Sequence, residues 1–150
     1  MSSRLFAAYG VGVHRAEMAK HCPTARLIGA TELKNYRLAF FGSRAGALAT
    51  IEKAKGCIVP ALLWEISPQD ELALDRWIGV PELYRKAAIK VRRDDALLDA
   101  LIYILISGKP QNKPSAFYYS TLLEGYRAAG FDADILKTAV QDGDQDASRA

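Results

Sequence analysis

The chain has 150 residues, half of them hydrophobic and a quarter charged, with a formal charge of +3. That length suits one domain with a real core, and the composition is that of an ordinary folded globule. The basic residues are dispersed, with only Lys90, Arg92 and Arg93 close together, which argues against a nucleic-acid stripe, and no apolar run reaches the length of a membrane span.

Residues 5–9 are apolar and end at Gly10, as a strand running into a turn would. Helix formers follow over 14–21 and stop before Pro23. Two strands are predicted at 26–28 and 36–41, then a turn at 42–46 and a short strand at 47–51. The apolar run 57–66 carries Pro60, so it is predicted as an edge strand or a bulged one. Ser67-Pro68-Gln69-Asp70 is the clearest local signal: a capping serine, a proline suited to the first helical position, and an acid placed for a capping box. That helix reaches about Trp77, with Gly79 just beyond its end.

Residues 84–91 and 97–106 read as strands; helical spacing competes in the second, and its β-rich ending decides for strand. Pro114-Ser115 opens a helix to Ala129, closed by Gly130, and 134–140 adds a short one. The prediction is one α+β domain over residues 1–140 and a frayed acidic tail at 141–150.

Six segments in order carry a family resemblance. They are Tyr9-Gly10; Cys22-Pro23 with Ala25; Tyr36-Arg37-Leu38 with Phe40; Leu63-Trp64-Glu65-Ile66-Ser67-Pro68; Asp75 with Gly79; and Pro114-Ser115 with Tyr118 and Gly125. Together they resemble the γ-glutamylcyclotransferase-like family, which includes the AIG2-like proteins and the γ-glutamylamine cyclotransferases. The resemblance implies a small mixed β-barrel flanked by helices. It also implies a pocket in which the loop of residues 9–13 holds the ligand and a glutamate shuttles protons.

Two departures fall on those working parts. Val11, Gly12 and Val13 replace the family's Ser-Asn-Leu, leaving backbone donors and an extra glycine that would favour an anion-binding nest. Ile78 stands where the family pattern Asp-x-x-Glu-Gly has its glutamate. Cyclotransfer needs an amine deprotonated and a leaving amine protonated, which isoleucine cannot do. Glu82 and Glu65 are the candidate substitute carboxylates.

The resemblance therefore implies a degenerate site that binds a small anionic or amide-bearing ligand. Tyr9, Gly10, Val11, Gly12, Val13, Tyr84 and Tyr118 would lie around it. The alternative is an active cyclotransferase releasing 5-oxoproline through Glu82 or Glu65. A protein-interaction or nucleic-acid-associated role on the basic surface is a third class. Arg85 and Lys86 beside the same loop could meet an anion or form a solvated edge pair. His14 and His21 lie seven apart on one helix, without the paired short spacing of a metal motif, so no metal and no cofactor are expected. Cys22 and Cys57 make no disulfide framework, Cys22 reads as structural, and the first residues lack a signal-peptide core. The expectation is a reduced, cytoplasmic protein.

Overall fold

The apolar runs become five strands of one sheet, and the capped segments become helices at its ends and flanks. The computed structural model describes residues 3–106 and 108–149, with residues 143–149 described by backbone alone. Chain order is β1 (Arg4–Ala8), a 3₁₀ turn (Val11–Val13), α1 (Arg15–His21), β2 (Arg26–Phe41), β3 (Leu48–Ile66) and α2 (Pro68–Ile78). Then come β4 (Tyr84–Arg93), β5 (Ala96–Leu105), α3 (Ala116–Ala129) and α4 (Asp134–Arg149).

Spatial order is β2-β3-β1-β5-β4, antiparallel except for the parallel β1–β5 pair. The expected barrel is not closed: among the described residues no ladder joins the outer strands β2 and β4. The sheet is curled instead, because strand twist accumulates across it. The curl brings the Thr31 hydroxyl on β2 within 3.0 Å of the Arg92 carbonyl on β4, to which it donates.

The two short strands predicted at 26–28 and 36–41 are one strand, and so are those at 47–51 and 57–66. Gly29 to Lys34 pair regularly with Leu63 to Ile58, and the ladder is irregular only where its register shifts, between Leu27 and Gly29 and between Lys34 and Tyr36. Asn35 takes a positive φ of 67° there, a conformation asparagine tolerates, and its side chain accepts the Gly56 N–H at 3.0 Å. Pro60 lies outside the β1 ladder, which uses only Leu62, Leu63, Trp64, Glu65 and Ile66 of β3, so its missing donor costs no β1 bond. The acidic stretch from Gln141, expected as a frayed tail, continues α4 to Arg149.

The core is continuous from β1 (Phe6, Ala7, Ala8) through the buried centre of β5 (Ala100, Leu101, Ile102, Tyr103) to Leu122 and Tyr126 of α3. Among the described residues no helix is long and apolar enough to cross a membrane.

Candidate ligand pocket

Where β1 leaves the sheet, its loop meets the C-terminal end of α2 and the start of α3, and a cavity of about 310 Å³ opens between them. That is the lower end of the range for small-molecule sites, about 300–1,000 Å³.

The loop wall is held from two sides. The indole N–H of Trp64, on β3, donates to the Gly12 carbonyl at 3.0 Å. On α3, Gly125 lets that helix's backbone come against the loop: a Cβ there would sit 3.0 Å from Val13 C and His14 N. Gly12 is also a packing glycine, since its Cβ would lie 2.8 Å from Ala8 Cβ and 3.1 Å from the Phe6 ring. Gly10 has φ −114° and Gly12 is not among the positive-φ residues. The loop is therefore a 3₁₀ turn, and not the nest of alternating handedness that the extra glycine suggested.

The opposite wall is placed by α2. Ser67 and Asp70 form the capping box, with Ser67 Oγ accepting from Asp70 N at 3.1 Å and Asp70 Oδ2 accepting from Ser67 N at 3.0 Å. Asp70 is buried and also accepts the Thr24 hydroxyl at 2.7 Å, tying the helix to the segment after α1. At the far end Gly79 adopts the left-handed cap with φ 104°. This presents Trp77 and Ile78, the last two residues of α2, to the cavity.

Tyr84 and Tyr118 line the cavity and also hold Ala49 of β3. Tyr84 donates to the Ala49 carbonyl, and Tyr118 Oη accepts the Ala49 N–H at 3.1 Å. Tyr9 donates to the Tyr103 carbonyl, and Tyr103 donates to Asp75 Oδ1 at 2.7 Å. Burial raises the pKa of all four phenols, and for Tyr103 the bond to Asp75 adds to it. They stay neutral, with their hydroxyls already engaged.

Of the residues singled out in the sequence, Tyr9, Gly10, Val11, Gly12, Ile78, Tyr84 and Tyr118 line the cavity. Val13 does not; it is buried in the core. Glu82 is exposed in the turn after α2 and outside the lining. Glu65 is also outside it, paired with Arg26 at 2.8 Å. Lys86 is engaged by Glu71 at 2.7 Å and Asp75 at 2.9 Å, which raise its pKa, and exposed Arg85 is likewise not in the lining.

The histidines have local work. His14 caps α1 by accepting from Glu17 N at 3.2 Å and meets Glu124 at 3.0 Å. His21 stacks on Trp77 with ring centroids 4.0 Å apart. Cys22 is buried with Sγ 3.5 Å from the Asp70 carbonyl, and burial, with Asp70 nearby, pushes its thiol up to about 11. Such a thiol is not activated as a nucleophile.

Eleven lining residues were not singled out as site residues from the sequence, among them Glu17, Leu83, Phe117 and Thr121. Phe117 had a signal, one place before Tyr118 in a segment already marked. Glu17 had only its position in the first turn of α1. Among the described residues, Glu17 is the one charged side chain in the lining.

A curled five-stranded α+β sheet with helices at its ends defines the γ-glutamylcyclotransferase fold. A solved γ-glutamyl cyclotransferase superposes with a TM-score of 0.80 at 21% identity, covering 92% of this chain and 86% of that one. An uncharacterized human protein gives 0.79 at 21% identity, covering 93% and 87%. YkqA of Bacillus subtilis gives 0.74 at 20%, with 92% of this chain matched to 53% of that longer one. These identities establish the fold alone.

The chain belongs to the AIG2-like family, whose model matches residues 59–138, just over half of it. That match includes Ile78, Tyr84 and Tyr118 and leaves out the loop of residues 9–13. No curated protein sequence matches the chain.

Proposed function

We propose that this protein binds a small molecule bearing an amide or carboxylate group in the pocket and does not carry out the cyclotransfer that the family fold supports elsewhere. The observation that carries this is Ile78, which lines the cavity and stands where the resemblance expects the glutamate; Glu82 and Glu65 lie outside the lining, and the one carboxylate in it among the described residues, Glu17, is engaged by Lys20 and His21. A positioned carboxylate would take a proton from the attacking amine and return it to the leaving amine. Its loss forfeits about 10²–10⁴-fold in rate.

What is left suits binding. The cavity is open, apolar over most of its wall, and bounded on one side by Gly10, Val11 and Gly12. The opening N–H groups of a 3₁₀ turn have no acceptor within the turn, and a ligand oxygen placed here would supply one. The ring-lined remainder accepts an apolar body.

The decisive assay is release of 5-oxoproline from γ-glutamyl dipeptides and γ-glutamyl amines. The native chain is expected to release none, and Ile78→Glu is expected to gain release by restoring the shuttle to a standing pocket. Turnover in the native chain that disappears in Glu17→Gln, Glu82→Gln or Glu65→Gln would overturn the proposal in favour of an active cyclotransferase with a substitute carboxylate.

A further inference from the structure

We propose that the pocket recognises an amine: its ligand carries an ammonium group that pairs with Glu17 and an apolar or aromatic body that lies against Trp77, Ile78, Leu83 and Phe117. This rests on the pocket being a ligand site, as proposed above, and adds the charge and shape of what enters it.

The first ground is electrostatic. Glu17 is the one charged side chain in the lining among the described residues, and its two carboxylate oxygens face basic neighbours outside the lining. Its neighbours are Lys20 at 3.3 Å and His21 at 4.0 Å, and the Lys20 side chain is mostly exposed. Exposed pairs of this kind are weak and solvent-screened, so a ligand cation that excludes water competes with them readily. An anionic group placed beside Glu17 would meet like charge, so the amide or carboxylate proposed above belongs at the wall of Gly10, Val11 and Gly12.

The second ground is the walls. The hydroxyls of Tyr9, Tyr84, Tyr103 and Tyr118 are already engaged in hydrogen bonds. The tyrosines therefore offer the cavity aromatic rings more than polar tips. Aromatic rings attract cations through their quadrupole, and a carboxylate beside them completes the usual chemistry of ammonium recognition.

The third ground is the mouth. Phe117 is 82% exposed and Leu83 48% exposed, and both line the cavity. Large apolar side chains held open at a pocket rim mark a site for an apolar partner group. They extend the apolar wall formed by Trp77 and Ile78 outward.

Isothermal titration with three probes sharing one body tests this: 4-phenylbutylamine, 4-phenylbutanamide and 4-phenylbutanoate, all at neutral pH. The amine is expected to bind about tenfold or more tightly than the amide, as a charge-assisted hydrogen bond implies, and the carboxylate more weakly than the amine. In Glu17→Gln the amine should lose that advantage over the amide, and binding of the amide that persists reports that the variant is folded. If the amide binds and the amine binds no tighter, recognition of an amine is refuted and the pocket reading stands. If none of the three binds, the pocket reading fails and this inference with it. Should Glu17→Gln not fold, the order of the three probes on the native chain decides alone.

Discussion

Trp64 shows how one side chain serves both stability and site. It is buried on β3, and its indole N–H is the donor to the Gly12 carbonyl. Trp64→Phe keeps a ring in the core and removes that donor, leaving a buried carbonyl unpaired. The expected cost is about 1–3 kcal/mol, read from urea unfolding. Tyr126 is the opposite case. It is fully buried on α3, packs edge-on against Phe131 with centroids 5.5 Å apart, and its hydroxyl has no hydrogen-bond partner among the described residues. Tyr126→Phe keeps the ring and removes an unpaired polar group, so a gain of about 1 kcal/mol is expected in the same measurement. Neither role was legible in the sequence, because both depend on what lies across the core from the residue.

At the scale of elements, α2 was the most legible part of the chain. Its start is written in adjacent residues, and the structure has both hydrogen bonds of the capping box. Ser67→Ala is expected to cost about 1 kcal/mol, a fall of about 2–4 °C in melting temperature for a chain of this size. Strands β2 and β3 were less legible. Each was read as two short strands, and only their pairing with one another joins the halves into one long strand. The same holds for the loop of residues 9–13. Its glycines were visible, yet the reason for Gly12 is Phe6 and Ala8 beneath it, which no local pattern reveals.

For the whole molecule, buried acids that ionise at high pH set a limit on stability. Cys22 is raised from its ordinary 9.0 to about 11, and Tyr9, Tyr84, Tyr103, Tyr118 and Tyr126 are all raised above 10.0, chiefly by burial. The fold therefore keeps these protons where the unfolded chain gives them up, and the unfolded state is favoured as pH rises. Stability from these groups is fully present below about pH 9, declines between about pH 9 and 11 through Cys22, and falls more steeply above about pH 10 through the tyrosines. Urea midpoints measured from pH 8 to 11 should follow that course, and Cys22→Ala should flatten the part between pH 9 and 10.

Sequence by itself determined the α+β class, the caps of α2 and α3, the family resemblance, and the absence of a carboxylate at position 78. Each is written in neighbouring residues or in an ordered set of short segments. Tertiary structure alone decided that the sheet curls without closing and that Glu82 and Glu65 stand outside the cavity. It also placed Glu17, Leu83 and Phe117 in the lining. The physical reason is that a pocket is made by side chains converging from α1, α2 and α3 and the ends of strands, and sequence spacing carries no information about that convergence.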